Sequence, residues 1–398
     1  MEFIFSYIAQ FSIYEWIMGA FLLFFFLTLL CYNLTVYRKP YKYEMKREEI
    51  SVDDSNLPGI SVIISSKNDS VQLEKNLPFI LEQDYPNFEV IVVNCGSTDE
   101  TDTVLKAASL KYPRLYHTFI PPEADEINEK KLALTVGIKA AKYDYLLFTE
   151  SYCRPCSSEW IREFGKQFTR GKDIILGYSN LLLPKKIMRG SFIRYDNLIH
   201  QIKFLSRAIS RKPFMGTGRN MAYKKELFFS NKGFSSILGI DGGEDDLFIN
   251  RIANKRNTDV VVSTKSITET DSVENFSTWR SFKSKHLYTK QLYKGFSHLF
   301  FGFENFSKYS FALLFISSIL LSVYTTNYIL LGSAILLFLL LLFIRISVIN
   351  KNSKQFGSGK FNIRLLIFDL LQPISNQRFT KYANSRNRAI LSVKKWYK

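Results

Sequence analysis

Cysteine is scarce in this chain, four among 398 residues, which excludes a disulfide-dense secreted domain and favours a reducing compartment. One pair, Cys153-Arg154-Pro155-Cys156, has no second pair nearby. Neither a zinc site nor a redox dithiol is supported, and two unconnected thiols are expected. Proline is sparse too, at eleven, and with 46% hydrophobic and 22% charged residues the chain is neither disordered nor collagen-like. Acidic residues are the minority charge, 36 against 53 Lys and Arg, for a net charge of +17. Such an excess suits nucleic acid or an anionic membrane surface. The basic stretches Arg207 to Lys212 and Lys394-Lys395-Trp396-Tyr397-Lys398 lie near apolar segments and carry no nucleic-acid motif. Anionic membrane lipids are therefore the expected partner, and nucleic acid is not.

Aromatic residues are abundant, with 35 Phe and 22 Tyr. Trp16 to Tyr37 forms 22 residues without a charge. At about 1.5 Å per residue, a helix of that length covers roughly 33 Å, enough for a bilayer core of about 30 Å. The segment lacks a basic leader and a small-residue cleavage site, so an anchor is expected rather than a signal peptide. Arg38, Lys39, Lys42, Lys46 and Arg47 follow it, which puts the N-terminus outside and the middle of the chain in the cytosol. Tyr309 to Ile344 gives a further 36 uncharged residues, enough for a hairpin of two spans turning at Thr325-Thr326-Asn327. Arg345, Lys351, Lys354, Lys360 and Arg364 then hold the returning chain on the cytosolic side. Phe361 to Leu371 reads as a helix lying in the interface. The expected location is the cytoplasmic membrane, crossed more than once.

Between these ends the periodicity changes. Ile60-Ser61-Val62-Ile63-Ile64-Ser65 and Phe88-Glu89-Val90-Ile91-Val92-Val93 are short β-branched runs, as in strands buried on both faces. Strands are also expected over 115–119 and 145–149, and helices over 70–83 and 128–142 and from Asp246 to Ala253. Ser97-Thr98-Asp99-Glu100 reads as a capping box. This alternation predicts an α/β fold with a mainly parallel sheet flanked by helices. Ligands of such sheets bind beyond the carboxyl ends of the strands, here Ser65 to Asp69, Asn94 to Asp99 and Thr149 to Cys153.

Those strand ends also carry a resemblance. Lys67-Asn68-Asp69, then Gln83-Asp84-Tyr85-Pro86-Asn87-Phe88-Glu89-Val90-Ile91-Val92-Val93 with Gly96-Ser97-Thr98-Asp99, is similar to the opening of a family-2 glycosyltransferase. Further matches follow in order: Glu129-Lys130-Lys131-Leu132-Ala133-Leu134, Glu150-Ser151-Tyr152-Cys153-Arg154-Pro155, Gly216-Thr217-Gly218-Arg219-Asn220 and Gly243-Glu244-Asp245-Asp246-Leu247. The resemblance implies a GT-A fold over residues 59–292 and inverting transfer of sugar from a nucleotide-sugar donor. It implies Asp245 as the base that deprotonates the acceptor, with Glu244 or Asp246 as alternatives. Three adjacent acids also suit the first turn of a helix. Ser65, Asn68, Asn94 and Lys130 fall on the nucleotide side, although Lys130 equally suits a solvated helix face. Arg219, Asn220, Lys285 and His286 fall on the acceptor and phosphate side, where Arg219 and Asn220 suit a plain turn nearly as well. Glu150 is the metal-side carboxylate, for Mg or Mn.

Three positions depart from the family pattern. Cys95 stands where a nucleotide-holding Asp is usual, after Asn94. The Asp-x-Asp motif reads Glu150-Ser151-Tyr152, and Tyr152 is a weak ligand for a hard cation. The helix that usually carries Gln-x-x-Arg-Trp reads Phe282-Lys283-Ser284-Lys285-His286. The expected organisation is an anchor (1–38), a basic cytosolic linker (39–58), the GT-A-like domain (59–292), an interfacial segment with a transmembrane hairpin (293–350), and a basic cytosolic tail with an interfacial helix (351–398). The membrane segments imply a lipid-linked or envelope glycan acceptor. The competing expectation is a scaffold that kept the fold and lost transfer.

Overall fold

The computed structural model describes residues 11–47, 52–121, 129–184, 189–273 and 275–396, with side chains as far as 386. The basic tail side chains and the start expected at Asn128 lie outside the described residues. Helix α1 (Ile13–Tyr32) opens at a capping box, in which Ser12 Oγ accepts from Glu15 N–H and the Glu15 carboxylate accepts from Ser12 N–H. It runs into a π-helical turn, Asn33–Tyr37, and α2 (Lys39–Met45) follows.

The β-branched runs form the strands that their pattern requires. β1 (Ile60–Ser66) is buried along its whole length, and β2 (Phe88–Cys95) at every position except the partly exposed Glu89. Helix α3 (Ser70–Leu81) joins them, α4 (Thr101–Lys111) leads to β3 (Leu115–Ile120), and α5 (Glu129–Ala140) leads to β4 (Tyr145–Phe148). β5 (Cys153–Pro155), α6 (Trp160–Phe168), β6 (Ile174–Gly177) and β7 (Ser179–Leu181) precede the long α7 (Gly190–Ile209). β8 (Met221–Lys224), α8 (Lys225–Ser230), α9 (Asp246–Ile252), β9 (Thr258–Val261), β10 (Thr268–Thr270) and α10 (Phe276–Lys290) complete this unit.

The main sheet has seven strands in the order β3-β2-β1-β4-β8-β6-β9. It is mainly parallel, and β8 runs against both its neighbours. Its core joins Ile60, Val62, Val90 and Val92 to Leu73, Leu77, Trp160 and Phe164 of the covering helices. A small sheet, β5-β10-β7, has no counterpart in the sequence expectation. Each of its strands is only three residues long, too short for a period-two pattern to register.

The expected capping box at 97–100 does not form. Asp99 accepts instead from Thr101 N–H at 3.1 Å and from Ser70 N–H at 3.0 Å, tying two strand-end loops together. Burial opposes the charge slightly, but these hydrogen bonds hold its pKa down at about 2.

The other compact unit contains α1 and its π turn, α11 (Ser297–Tyr324), most of α12 (Tyr328–Phe356) and the first part of α13 (Arg364–Trp396). Three helical stretches, 13–37, 297–324 and 328–356, are long and apolar enough to cross a membrane. The turn falls at 325–327, where Thr325 Oγ1 and Asn327 Nδ2 donate to Glu15 at 2.8 and 2.9 Å. Leu22, Phe25, Phe26, Leu29, Phe311 and Ala334 pack together.

Both hairpin helices outrun the uncharged stretch 309–344, and the charges flanking that stretch are paired inside the unit. Glu304 accepts from Tyr37 OH at 2.5 Å and pairs with Lys308 at 2.6 Å. Arg345 pairs with Asp369 at 2.7 Å, donates to Asn33 Oδ1 at 3.2 Å and lies 3.9 Å from the Tyr37 ring centroid. The interfacial helix expected over 361–371 is likewise only the opening of the 33-residue α13.

Candidate active site

The strand order changes direction at β1, which is flanked by β2 on one side and β4 on the other. A crevice opens beyond the carboxyl ends at such a point. Here it is a hollow of about 670 Å³, walled by Ser65 to Lys67 after β1, Cys95 at the end of β2, and Glu150 to Tyr152 after β4. Helix α5 approaches the sheet closely because Gly137 has no side chain: a Cβ there would lie 2.9 Å from Ile63 Cγ2. That approach sets Lys130, in the helix's first turn, over the strand ends. The loop after β4 is fixed by Ser151 Oγ donating to Asp69, by Asn76 Nδ2 donating to Ser151 O at 3.1 Å, and by Thr149 Oγ1 donating to Arg219 O at 3.2 Å.

Gly242 and Gly243 both have left-handed backbones (φ +82° and +88°), which glycine adopts without strain. They turn Glu244 and Asp245 into the hollow. Lys130 Nζ lies 2.6 Å from Glu150 Oε1 and 3.2 Å from Glu244 Oε1, joining the two walls. Burial pushes the Glu244 carboxyl up, but the Lys130 ammonium, a backbone hydrogen bond and the Lys131 charge together outweigh it and hold the pKa at about 2. Asp245 has no ammonium in ion-pair contact among the described residues. Burial, and then the charge of Asp246, push its pKa up to about 6 despite His286. Its Oδ2 accepts from Gly218 N–H at 2.8 Å and its Oδ1 from Asp246 N–H at 2.7 Å. Gly218 lies between the acids, since a Cβ there would be 3.1 Å from Glu150 Oε1 and 3.5 Å from Asp245 Cβ.

Asp246 is fully buried beneath the hollow. It accepts from the hydroxyls of Thr289 and Tyr293 and lies 3.6 Å from His286 Nδ1. Burial lowers the basicity of His286, but the bond to Asp246 and the charges of Asp245 and Asp246 together more than restore it. Ligand-capable atoms of Asp245, Asp246 and His286 lie within 4.8 Å of one another. At the Glu150 position the donors suit a cation only sparingly. Glu150 offers one carboxylate, and burial and that carboxylate push the Tyr152 phenol well above its ordinary pKa, leaving it protonated. One carboxylate fits a Mg²⁺ or Mn²⁺ ion that takes its remaining ligands from phosphates and water.

Of the expected residues, Ser65, Lys130, Glu150, Arg219, Glu244, Asp245, Lys285 and His286 meet at this hollow. Three do not line it. Asn68 is exposed with a left-handed backbone (φ +53°) and accepts from Thr98 N–H. Asn94 is buried and accepts from Ser97 N–H, shaping the turn after β2. Asn220 is wholly buried and bonds Trp160 Nε1, Tyr178 O and Ser266 O, so its place is in the core behind the hollow.

Asp69, Glu129, Lys131, Thr217 and Arg386 line the hollow without having been singled out. Asp69 had a signal, because it ends the first quoted motif. Arg386 had none, since it lies 100 residues beyond His286. His200 has its ring 6.3 Å from that of His286. The cysteines are free thiols, Cys95 and Cys153 buried and Cys31 and Cys156 exposed. Burial pushes Cys95, at the wall of the hollow, up to about 12, leaving it an uncharged thiol.

Residues 61–228 match the family model described as glycosyl transferase family 2. The poly-beta-1,6-N-acetyl-D-glucosamine synthase of Staphylococcus aureus (strain COL) is 33% identical over 147 residues, covering 37% of this chain and 31% of the relative. The synthase of the same name from Staphylococcus epidermidis is 28% identical over 141 residues, covering 34% and 28%. The chain thus matches less than a third of the length of these curated relatives. Among solved structures, the mannosyltransferase PcManGT from Pyrobaculum calidifontis, in complex with GDP-Man and Mn²⁺, superimposes with a TM-score of 0.52 at 15% identity. It covers 90% of this chain and 99% of its own. That is a likeness of fold.

Proposed function

From a chain whose residues 61–228 match the glycosyl transferase family 2 model, we propose a membrane-bound glycosyltransferase of hexosyltransferase type. It moves sugar with inversion from a nucleotide-sugar donor to a lipid-linked or envelope glycan acceptor. The observation that carries this reading is one hollow shared by Glu150, Lys130 and Asp245, with backbone rather than side chain at Gly218 between them. Asp245 takes the proton of the acceptor hydroxyl, whose oxygen bonds to the anomeric carbon as the nucleoside diphosphate leaves from the opposite face. Glu150 would hold a divalent cation, Mg or Mn, which offsets the charge growing on the leaving diphosphate. Lys130 and Lys285 add fixed positive charge at the same walls. The basic residues 38–47 after the first apolar helix support a cytosol-facing domain on a multi-pass cytoplasmic-membrane protein.

Membranes containing the full chain, given a panel of labelled nucleotide sugars with Mn²⁺ or Mg²⁺, are expected to move label into a lipid or polymer fraction. The competing scaffold reading rests on Cys95 and Tyr152 at positions where the family has carboxylates. Calorimetry on folded protein that detects binding of no nucleotide sugar would decide for the scaffold. Gly218 offers a second check. Its backbone tolerates a side chain, but the space is tight, so Gly218→Val is expected to cut transfer at least about tenfold and to cost about 1–3 kcal/mol of stability. Equal turnover would remove the gap at Gly218 from the binding path.

A further inference from the structure

A second hollow, of about 470 Å³, lies on the face of α5 opposite the sheet. Gly137 turns toward Ile63 and Val93 of the sheet, whereas Leu132, Thr135 and Lys139, three or four residues apart on the other face, line this hollow. Its second wall comes from α8 and the turn after it, with Phe228, Phe229 and Phe234. The Phe228 ring meets Phe229 and Phe234 edge to face, at 5.5 and 5.0 Å between centroids. The turn packs this closely because Gly233 has no side chain: a Cβ there would lie 2.7 Å from the Phe228 ring. Leu132, Phe229 and Leu238 are 41%, 46% and 47% exposed, so three large apolar side chains face solvent around one hollow. Small-molecule sites occupy about 300–1,000 Å³ and join apolar, aromatic walls to a few polar groups that orient the ligand.

The polar groups here carry charge of one sign. Lys131, Lys139 and Lys232 line the hollow, and no acidic residue does. Lys131 is committed, since its ammonium donates to Ile240 O at 2.6 Å. Lys139 and Lys232 are exposed, make no ion pair among the described residues, and lie outside the catalytic hollow. Lys232 also has a left-handed backbone (φ +57°), which a Cβ makes unfavourable and which Gly or Asn adopts more readily. Strained residues of this kind gather at ligand sites. Two uncommitted ammonium groups beside an aromatic wall call for an anion with an apolar body. A second copy of this chain, with a net charge of +17, is disfavoured there by repulsion.

We propose that this hollow is a second ligand site, separate from the catalytic one, for an aromatic anion. The ring system lies against Leu132, Phe228 and Phe229, and the carboxylate, sulfonate or phosphate accepts hydrogen bonds from Lys139 and Lys232.

The test titrates the full-length chain in non-ionic detergent micelles with naphthalenesulfonate, by calorimetry, subtracting the heat of the same titration into protein-free micelles. Wild type is expected to bind with a Kd of about 1 mM or below, ordinary for a ligand of this size. The double variant Lys139→Gln/Lys232→Gln should weaken binding about tenfold or more, because charge-assisted hydrogen bonds are the strong ones. Phe229→Ala keeps the charges and should weaken it about fivefold through the lost ring contact. Neutral naphthol should bind wild type at least about tenfold more weakly than the sulfonate. All three substituted side chains are exposed, so melting temperatures near that of wild type are expected. If the double variant fails to fold, Phe229→Ala and the naphthol comparison decide. Absence of saturable binding to wild type overturns the proposal. An affinity within twofold of wild type in either folded variant does so too, as does naphthol binding as tightly as the sulfonate.

Discussion

Asp245→Asn is expected to lower sugar transfer about 1,000-fold while leaving nucleotide-sugar affinity near its wild-type value. General-base catalysis contributes on the order of 10²–10⁴, and Asn keeps the shape and one acceptor oxygen but cannot take a proton. The hydrogen bonds from Gly218 N–H and Asp246 N–H hold the Asp245 carboxylate toward the hollow. Its pKa, pushed up to about 6 first by burial and then by Asp246, gives the prediction a pH signature. Activity should rise about tenfold per pH unit below 6 and level off above it, as the carboxyl loses its proton. In Asp245→Asn that limb should vanish. The stability effect has the opposite sense. The native state holds this proton more tightly than the unfolded chain, whose ordinary value is 3.8. Ionisation between about pH 4 and 6 therefore costs folding free energy. Turnover in Asp245→Asn equal to wild type would remove Asp245 from the mechanism.

Asn220→Ala is expected to destabilise the fold rather than alter substrate affinity. The amide accepts from Trp160 Nε1 at 3.0 Å and donates to Tyr178 O at 2.7 Å and Ser266 O at 2.8 Å, all in the interior. Gly177 lies against it, since a Cβ there would be 2.6 Å from Nδ2. Truncation strips the Trp160 N–H and the Ser266 carbonyl of this partner, at about 1–3 kcal/mol each before relaxation, while Tyr178 O keeps Thr268 N–H at 3.3 Å. The net loss should be about 3–5 kcal/mol, read as a drop in melting temperature or in the yield of folded protein. A variant with normal stability and a raised KM would return Asn220 to the substrate wall.

These two residues mark how far the sequence could be read. The strands β1, β2 and β4 were legible because a strand buried on both faces must be continuously apolar, so its ends were legible too. Ser65 and Glu150 follow from those ends, whereas Asp245, at the start of α9, came from the family resemblance. Asn220 was misplaced because Arg219 and Asn220 share a turn, and nothing in their order says that one faces a cavity and the other the core. The capping box at 97–100 was misread for a related reason. Glu100, three residues after Ser97, suits such a box, but the loop is tied instead by Asp99, which accepts from Ser70 N–H, 29 residues away. The helix ends at Ser297 and Phe356 escaped detection because charge, taken as a stop signal, is cancelled by partners far along the chain. Contacts of long sequence separation are what a periodicity cannot encode.

The ion pairs around Tyr37 also bear on how the membrane helices can move. Arg345 reaches Asp369 and Asn33, while Lys308 holds Glu304 and lies 3.4 Å from Asp369. A slip of one helical turn, about 5.4 Å, along either axis would part these charges in surroundings too apolar to hydrate them. Piston-like travel of these helices is therefore barred. A tilt or rotation about the Tyr37 level would keep these pairs together, with the far ends of the helices sweeping the larger arc.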